Sequence, residues 1–419
     1  MKDAEIELFV EQIMKALGEE IKGIIKQAVE SEKKPGLEHL EFLVRHLLLR
    51  KAREVLQGIV EMLGTGYKGV SIACECRGLL RFKGNIKKYV KTILGEINAK
   101  RAYYRCSSCG RSIAPLDDEL GIGKGHASVG LKRVISLAGV TGSFHGAPKV
   151  LAELAEIKAS AKQVQRITEE VAISARGAQK SHSILPSLDK TERAYISCDG
   201  AMVNTTKGWR EIKVGAVYND AKEGKRYVSL VGKAAKFGSV LRRTGMAVGV
   251  WDCKEVIFIG DGAPWIRKQA RINFPQAMQI VDFYHVKEHI TECANKVFSE
   301  ATKKAKRWRK RCVSAIYTGG AEKLIPILQD EKWIRHDAVK DLLRYVRTNA
   351  ARMRYPLYRA KGWQIGSGPV ESACKQIVTQ RLKLNAGMKW RVENADAIAR
   401  LRCIWLSNAW DALWQRKAA

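Results

Sequence analysis

Residues 258–266 read FIGDGAPWI, an apolar run that stops at Gly260, Asp261 and Gly262 before Pro264 opens a new amphipathic stretch. Gly, Asp and Pro in sequence are ordinary turn chemistry when they stand alone. Here the run upstream, EVIFIG, has the apolar character of a buried strand, so Asp261 is placed at a strand end and Pro264 on the first turn of the following helix. Small glycines on either side of Asp261 would let a metal ion and a phosphate approach.

Working outward, strand patterns start at Arg193. RAYISCDG (193–200), REIKVGAVYND (210–220) and KRYVSLVG (225–232) read as three consecutive strands with polar turns between them. A helical stretch, Gly238–Val248, leads to the strand EVIFIGDGA, and a second helix begins near Pro264. MQIVDFYH (278–285) is expected as a fifth strand, with VKEHITECANKVF returning to helix. The order βββαβαβα points to an RNase H-like fold. In that fold the first and fourth strands are central neighbours, which would bring Asp199 and Asp261 together. Two carboxylates held so close repel each other and invite a divalent cation such as Mg²⁺. A two-metal site needs a third acid, from a later helix. GWQIGSGPVESACKQIV (362–378) supplies it: Gly368 and Pro369 mark a helix start and put Glu371 on the first turn.

The segments before this core differ in kind. Residues 1–66 form a helical region, with apolar positions at Leu8, Ile13, Leu17, Ile21 and Ile24, a break at Pro35-Gly36, then Leu40, Leu43, Leu47 and Leu56. A helical hairpin is expected, packed on a neighbour or on a second copy of the chain. Residues 67–125 carry Cys74 and Cys76, then Cys106 and Cys109, on either side of a β-prone stretch, the plan of a zinc ribbon in which thiolates hold Zn²⁺ tetrahedrally. Residues 126–188 suggest a helix-turn-helix-like region. Ser160 is a plausible N-cap, Val164, Ile167 and Val171 share one face, and Lys162, Gln163 and Arg166 face outward as on a recognition helix.

The domain plan is completed by the first part of the core (189–290), a helical insertion (291–360) and the last part of the core (361–419). The insertion carries KKAKRWRKR, from Lys303 to Arg311, where Lys306, Arg307 and Arg309 could grip phosphates and Trp308 could stack on an unpaired base. Trp405, Trp410 and Trp414 fit core packing better than a ligand cage.

Composition agrees with this plan. The chain has 419 residues, 46% hydrophobic and 28% charged, as soluble multidomain proteins do. Lys and Arg number 74 against 43 Asp and Glu, a net charge of +31 that makes double-stranded DNA the expected partner. No apolar run reaches the roughly 18–20 residues of a membrane span, and MKDAEIELFV is not a signal sequence, so a cytoplasmic, nucleoid-associated location is expected. The ten cysteines are therefore expected as free or metal-bound thiols.

Taken in order, CDG, GDGA, DFYHV, GSGPVES and RLKLNAGMKW resemble a DDE-type insertion-sequence transposase, most like the Kra group with its zinc-ribbon N-terminal part. The resemblance runs from about Cys74 to Trp414 and implies Asp199, Asp261 and Glu371 as a catalytic triad holding Mg²⁺ or Mn²⁺. It also implies secondary roles for Asp282 and His285, since DFYH matches an Asp/Cys-x-x-His element of Mutator-like enzymes. Substrates would be element terminal repeats and target DNA, engaged by a homo-oligomer. One departure is the first cysteine pair, CxC where the group more often has CxxC. The chemistry implied is in-line displacement at phosphorus, with no covalent protein intermediate. A serine recombinase would use a hydroxyl such as that of Ser197, but no matching Arg cluster accompanies it. A catalytically silent DNA-binding regulator and another RNase H-like nuclease are the competing functions.

Overall fold

The computed structural model describes residues 2–418 apart from 124, 178–186, 189–191, 221–223 and 386. They divide into two compact units, one the chain up to Gly139 with Phe144–Ile167, the other Val140–Ser143 with Thr168–Lys417. Both mix sheets with many helices, so the protein is multidomain and α+β in character.

In the first unit α1 (Lys2–Glu30) and α2 (Leu37–Met62) make the expected helical hairpin. Gly58 on α2 admits the Phe9 ring so closely that a Cβ would lie 2.2 Å from it, which fixes how the two helices meet. Four antiparallel strands follow in spatial order: β1 (Ser71–Ala73), β2 (Leu79–Thr92), β3 (Gly95–Cys106) and β4 (Ser112–Ile113). Alternation along β3 sends Ile97 and Ala99 to a cluster with Val60 of α2, and Ala102 and Tyr104 to a cluster around the cysteines. Four helices come next: α3 (Pro115–Glu119), α4 (Val129–Thr141), α5 (Ala147–Ala155) and α6 (Ala161–Ser174).

The second unit is built on five strands, β5 (Arg193–Thr205), β6 (Gly208–Asn219), β7 (Arg226–Val231), β8 (Glu255–Gly260) and β9 (Met278–Val281), in the order β7-β6-β5-β8-β9. The first three form an antiparallel meander, and β8 and β9 run parallel to β5. Ala194, Ile196 and Cys198 of β5 and Phe258 of β8 point to one face, where α7 (Ala234–Ala247) and α8 (Pro264–Asn273) cover them with Phe237, Leu241 and Ile266, joined by Phe274 at the C-cap of α8. The odd-numbered residues of β5 and β8 therefore share the opposite face.

The fifth strand is shorter than its sequence suggests. It stops at Val281, and Phe283 already begins α9 (Phe283–Phe298) with Asp282 as N-cap. The apolar run MQIV supplied the strand signal, but the Asp282 side chain satisfies the first free amides of a helix and ends it. Then come α10 (Lys303–Gln329), kinked at Gly320, α11 (Asp337–Asn349) and α12 (Tyr355–Ala360). The last part of the chain holds α13 (Gly368–Cys374), a wide π turn at Lys375–Thr379, α14 (Gln380–Leu382), α15 (Val392–Leu406) and α16 (Trp410–Ala418). Trp410 and Trp414 are buried and pack ring to ring at 5.8 Å, in keeping with the packing role expected for them.

Candidate functional site

The parallel pairing of β5 with β8 ends at Ser197 opposite Ile259, so Asp199 and Asp261 each stand two residues beyond that pair, on the face away from α7 and α8. Both carboxylates are held by their own chain. Asp199 Oδ1 accepts from the Gly200 amide at 2.6 Å, and its Oδ2 lies 3.7 Å from the Cys374 thiol, which donates to it. Asp261 Oδ1 accepts from the Ala263 amide at 2.8 Å, and the Asp261 carbonyl accepts from the Tyr345 hydroxyl at 2.9 Å.

The glycines around Asp261 have packing reasons rather than ligand reasons. A Cβ on Gly260 would meet Ile266 at 2.6 Å, while Gly262 has φ +91° and abuts the Tyr345 hydroxyl. Space for a metal and phosphate is thus not what these positions record.

Glu371 lies on the first turn of α13, after Ser367 at the N-cap and Pro369 inside the first turn. It faces the same cleft as Asp199 and Asp261, a hollow of about 260 Å³ also lined by Asp282, His285 and Glu288. Burial is the main cause raising the Asp199 carboxyl above its ordinary range, countered by the Gly200 amide and reinforced by Asp261. Glu371 is also raised, by burial first and then by Asp282, Glu288 and Asp199. Crowded acids raising one another mark a cleft short of positive charge.

Asp282 occupies this cleft in a different capacity. It is fully buried, and its Oδ1 accepts from the amides of Tyr284 (2.6 Å) and His285 (3.2 Å). Its Oδ2 accepts from the Ser367 amide at 2.6 Å and from the Ser367 hydroxyl. Four donors thus saturate a residue expected as a secondary site, and Asp282 is a strut joining the starts of α9 and α13. His285 remains half-exposed in the cleft, its Nδ1 3.3 Å from Glu288 Oε2. Glu288 is not among the residues the sequence points to; its signal is the helix that starts at Phe283, which places it one turn after His285. Ser197 is buried in the sheet, where a nucleophilic hydroxyl has no access to substrate.

The hard oxygen donors of the cleft suit Mg²⁺ or Mn²⁺ chemically. Among the described residues, however, one set of three or more His, Cys, Asp or Glu side chains is gathered tightly enough to share an ion: Cys74, Cys76, Cys106 and Cys109, with sulfurs all within 4.8 Å of one another. Cys74 Sγ is 3.6 Å from Cys109 Sγ, and Cys76 Sγ is 3.6 Å from Cys106 Sγ. Sulfurs around tetrahedral Zn²⁺ lie about 3.8 Å apart, so the cluster can bind a metal ion and is compatible with structural zinc. The unusual CxC half does not spoil it. Gly78 passes so near that a Cβ would stand 3.3 Å from Cys76 Sγ and Cys106 Sγ, and its carbonyl accepts from the Cys74 amide at 2.9 Å.

Of the expected DNA contacts, Lys162 and Arg166 on α6 are exposed, whereas Gln163 is half-buried and closes a capping box: Ser160 N donates to Gln163 Oε1 (3.0 Å) and Gln163 N to Ser160 Oγ (3.2 Å). Val164, Ile167 and Val171 are buried as one face. On α10, Lys306, Arg307 and Arg309 are exposed. Trp308 is the correction: it is 5% exposed and packs its ring against Phe298 at 6.0 Å, so it has no free face for a base. The spacing of Ala305, Trp308, Cys312 and Ile316, all buried, is an inward helical stripe that the sequence already held.

Among known proteins, the pattern of the uncharacterised protein family UPF0236 matches residues 32–240 and 247–406. A UPF0236 protein of Caldanaerobacter subterraneus subsp. tengcongensis is 24% identical over 379 residues, covering 86% of this chain and 75% of the relative. A second from the same organism is 23% identical over 380 residues, covering 86% and 76%. The first carries a series of locus designations in that one genome, a multiplicity compatible with mobile elements. Matched over most of its length, the chain belongs to the UPF0236 family.

Proposed function

We propose that this protein is a DNA transposase of DDE type, with an RNase H-like core that cuts and joins phosphodiesters at the ends of its own element. One observation carries the proposal: Asp199 on β5 and Asp261 after β8 each stand two residues beyond the last parallel pair of these adjacent strands, and Glu371 from a later helix faces the same cleft. The strand order, three antiparallel strands followed by two parallel ones, supports the RNase H-like assignment. The charge of +31 supports a polyanionic substrate, and the multiplicity of relatives in one genome supports a mobile origin.

Asp199, Asp261 and Glu371 would hold Mg²⁺ or Mn²⁺, which supplies activation of the attacking oxygen and stabilisation of the leaving one. The chain's own residues do the rest. Asp282 fixes Ser367 and thereby the turn that presents Glu371. The Cys374 thiol keeps one Asp199 oxygen oriented. His285, 3.3 Å from Glu288, lines the cleft beside the acids. Exposed Lys306, Arg307 and Arg309, with Lys162 and Arg166, grip the DNA backbone.

The test uses purified protein, Mg²⁺ or Mn²⁺, and DNA carrying the sequences that flank its reading frame. The expected result is nicking and strand transfer by the wild type and none by Asp261→Asn, which still binds the DNA. Strand transfer unchanged in Asp261→Asn refutes the assignment.

A further inference from the structure

α1 is apolar on more of its surface than α2 covers. Phe9, Ile13, Leu17 and Ile24 form a half-buried seam that begins with Phe9 against Gly58. Beside it runs a second stripe, Ile6, Val10, Met14, Ile21, Ile25 and Val29, whose members are 39% to 62% exposed. Scattered surface apolar residues need no explanation, but a continuous stripe along a 29-residue helix marks an interface.

The occupant can be read from the stripe itself. Ile6 and Val29, Val10 and Ile25, and Met14 and Ile21 lie equally far from a point between Leu17 and Gly18. The pattern is the same from either end, which is the requirement for an isologous contact across a two-fold axis. Gly18 sits at that point, and a Cβ there would meet nothing within 4 Å, so two helices can cross closely.

Charge gives the direction. Along the flank away from α2, Glu7 and Glu11 follow the stripe in the N-terminal half, and Lys22 and Lys26 in the C-terminal half. Antiparallel docking brings each glutamate within about one helical turn of a lysine of the other copy, whereas parallel docking sets like against like. Helix α1 has seven acidic and four basic residues in a chain of net charge +31, so this face suits a protein partner and not nucleic acid.

We infer that two copies of this chain pair through α1, antiparallel, about a two-fold axis between Leu17 and Gly18. The inference is independent of the carboxylate cleft and is read without DNA.

Light scattering on the size-fractionated full chain is expected to give a dimer mass. Ile21→Glu with Ile25→Glu is expected to give a monomer with an unchanged helical circular dichroism spectrum. Glu7→Lys with Glu11→Lys should weaken the dimer roughly tenfold, and adding Lys22→Glu with Lys26→Glu should restore it. Those four positions are on the surface, so the reversal pair tests the contact even where the apolar variant fails to fold. A wild-type monomer at the highest soluble concentration overturns the proposal, as does a dimer indifferent to both sets of substitutions, or charge reversal without rescue.

Discussion

Replacing Asp282 by Ala is expected to cost more stability than removing any other carboxylate of the cleft. The side chain is fully buried and accepts from two amides of α9 and from the amide and hydroxyl of Ser367. Loss of the helix cap costs about 1 kcal/mol. Each Ser367 bond, made to a charged oxygen, is worth roughly 1.5–3 kcal/mol. Water entering the vacated space recovers part of this, leaving a net loss of about 3–5 kcal/mol. For a unit of this size that is a fall of roughly 10 °C in the unfolding temperature. Asp282→Asn keeps one acceptor oxygen and should lose less, about 1–3 kcal/mol. Thermal unfolding by circular dichroism, run beside the strand-transfer assay, measures both. An Asp282→Ala protein melting within about 2 °C of the wild type would sink the strut assignment. So would an Asp282→Asn protein of unchanged stability without activity, since that pattern belongs to a chemical role.

Cys106→Ser with Cys109→Ser should abolish a bound zinc that metal analysis finds in the wild type, and acid should release that zinc as the thiolates take up protons; equal zinc content in both proteins would refute the site. Trp308→Ala should destabilise by about 3–5 kcal/mol as a core truncation, while Lys306→Ala with Arg309→Ala should weaken DNA binding and flatten its salt dependence at unchanged stability. The opposite assignment of effects would return Trp308 to the DNA. Burial, then the neighbouring His285, holds the His289 imidazole below its ordinary 6.5. Its contribution to stability is thus complete above 6.5 and lost as pH falls through the lower folded value. The unfolding temperature should drop on going from neutral to mildly acid solution, and drop less in His289→Gln.

Much of the second unit was legible because its signals are local. Strands such as YISC and VIFI are nearly continuous apolar runs, and an aspartate within two residues of the end of each is conspicuous. The cysteine knuckles were legible by spacing, and the hairpin α1–α2 by period. What escaped depended on partners distant in sequence. Asp282 looks like a catalytic acid until Ser367, 85 residues away, is found on its second oxygen. Glu288 joins the cleft only because α9 starts at Phe283 and so carries His285 one turn before it. Trp308 sits among cations that dominate the stretch and suggest DNA, although its own period with Ala305 and Cys312 points inward.

The π turn at Lys375–Thr379 sets the phase between Glu371 and everything after it. A wide turn accommodates one residue more than an α-helix would, and one residue is about 100° of rotation. Deleting a single residue there would regularise the helix, a change that propensity alone scores as favourable. It would also swing Glu371 about 100° around its axis relative to the helices that follow, or swing those helices out of their packing. The length of this stretch therefore fixes an angle, and a deletion there that leaves the helices packed is expected to displace Glu371 from the cleft.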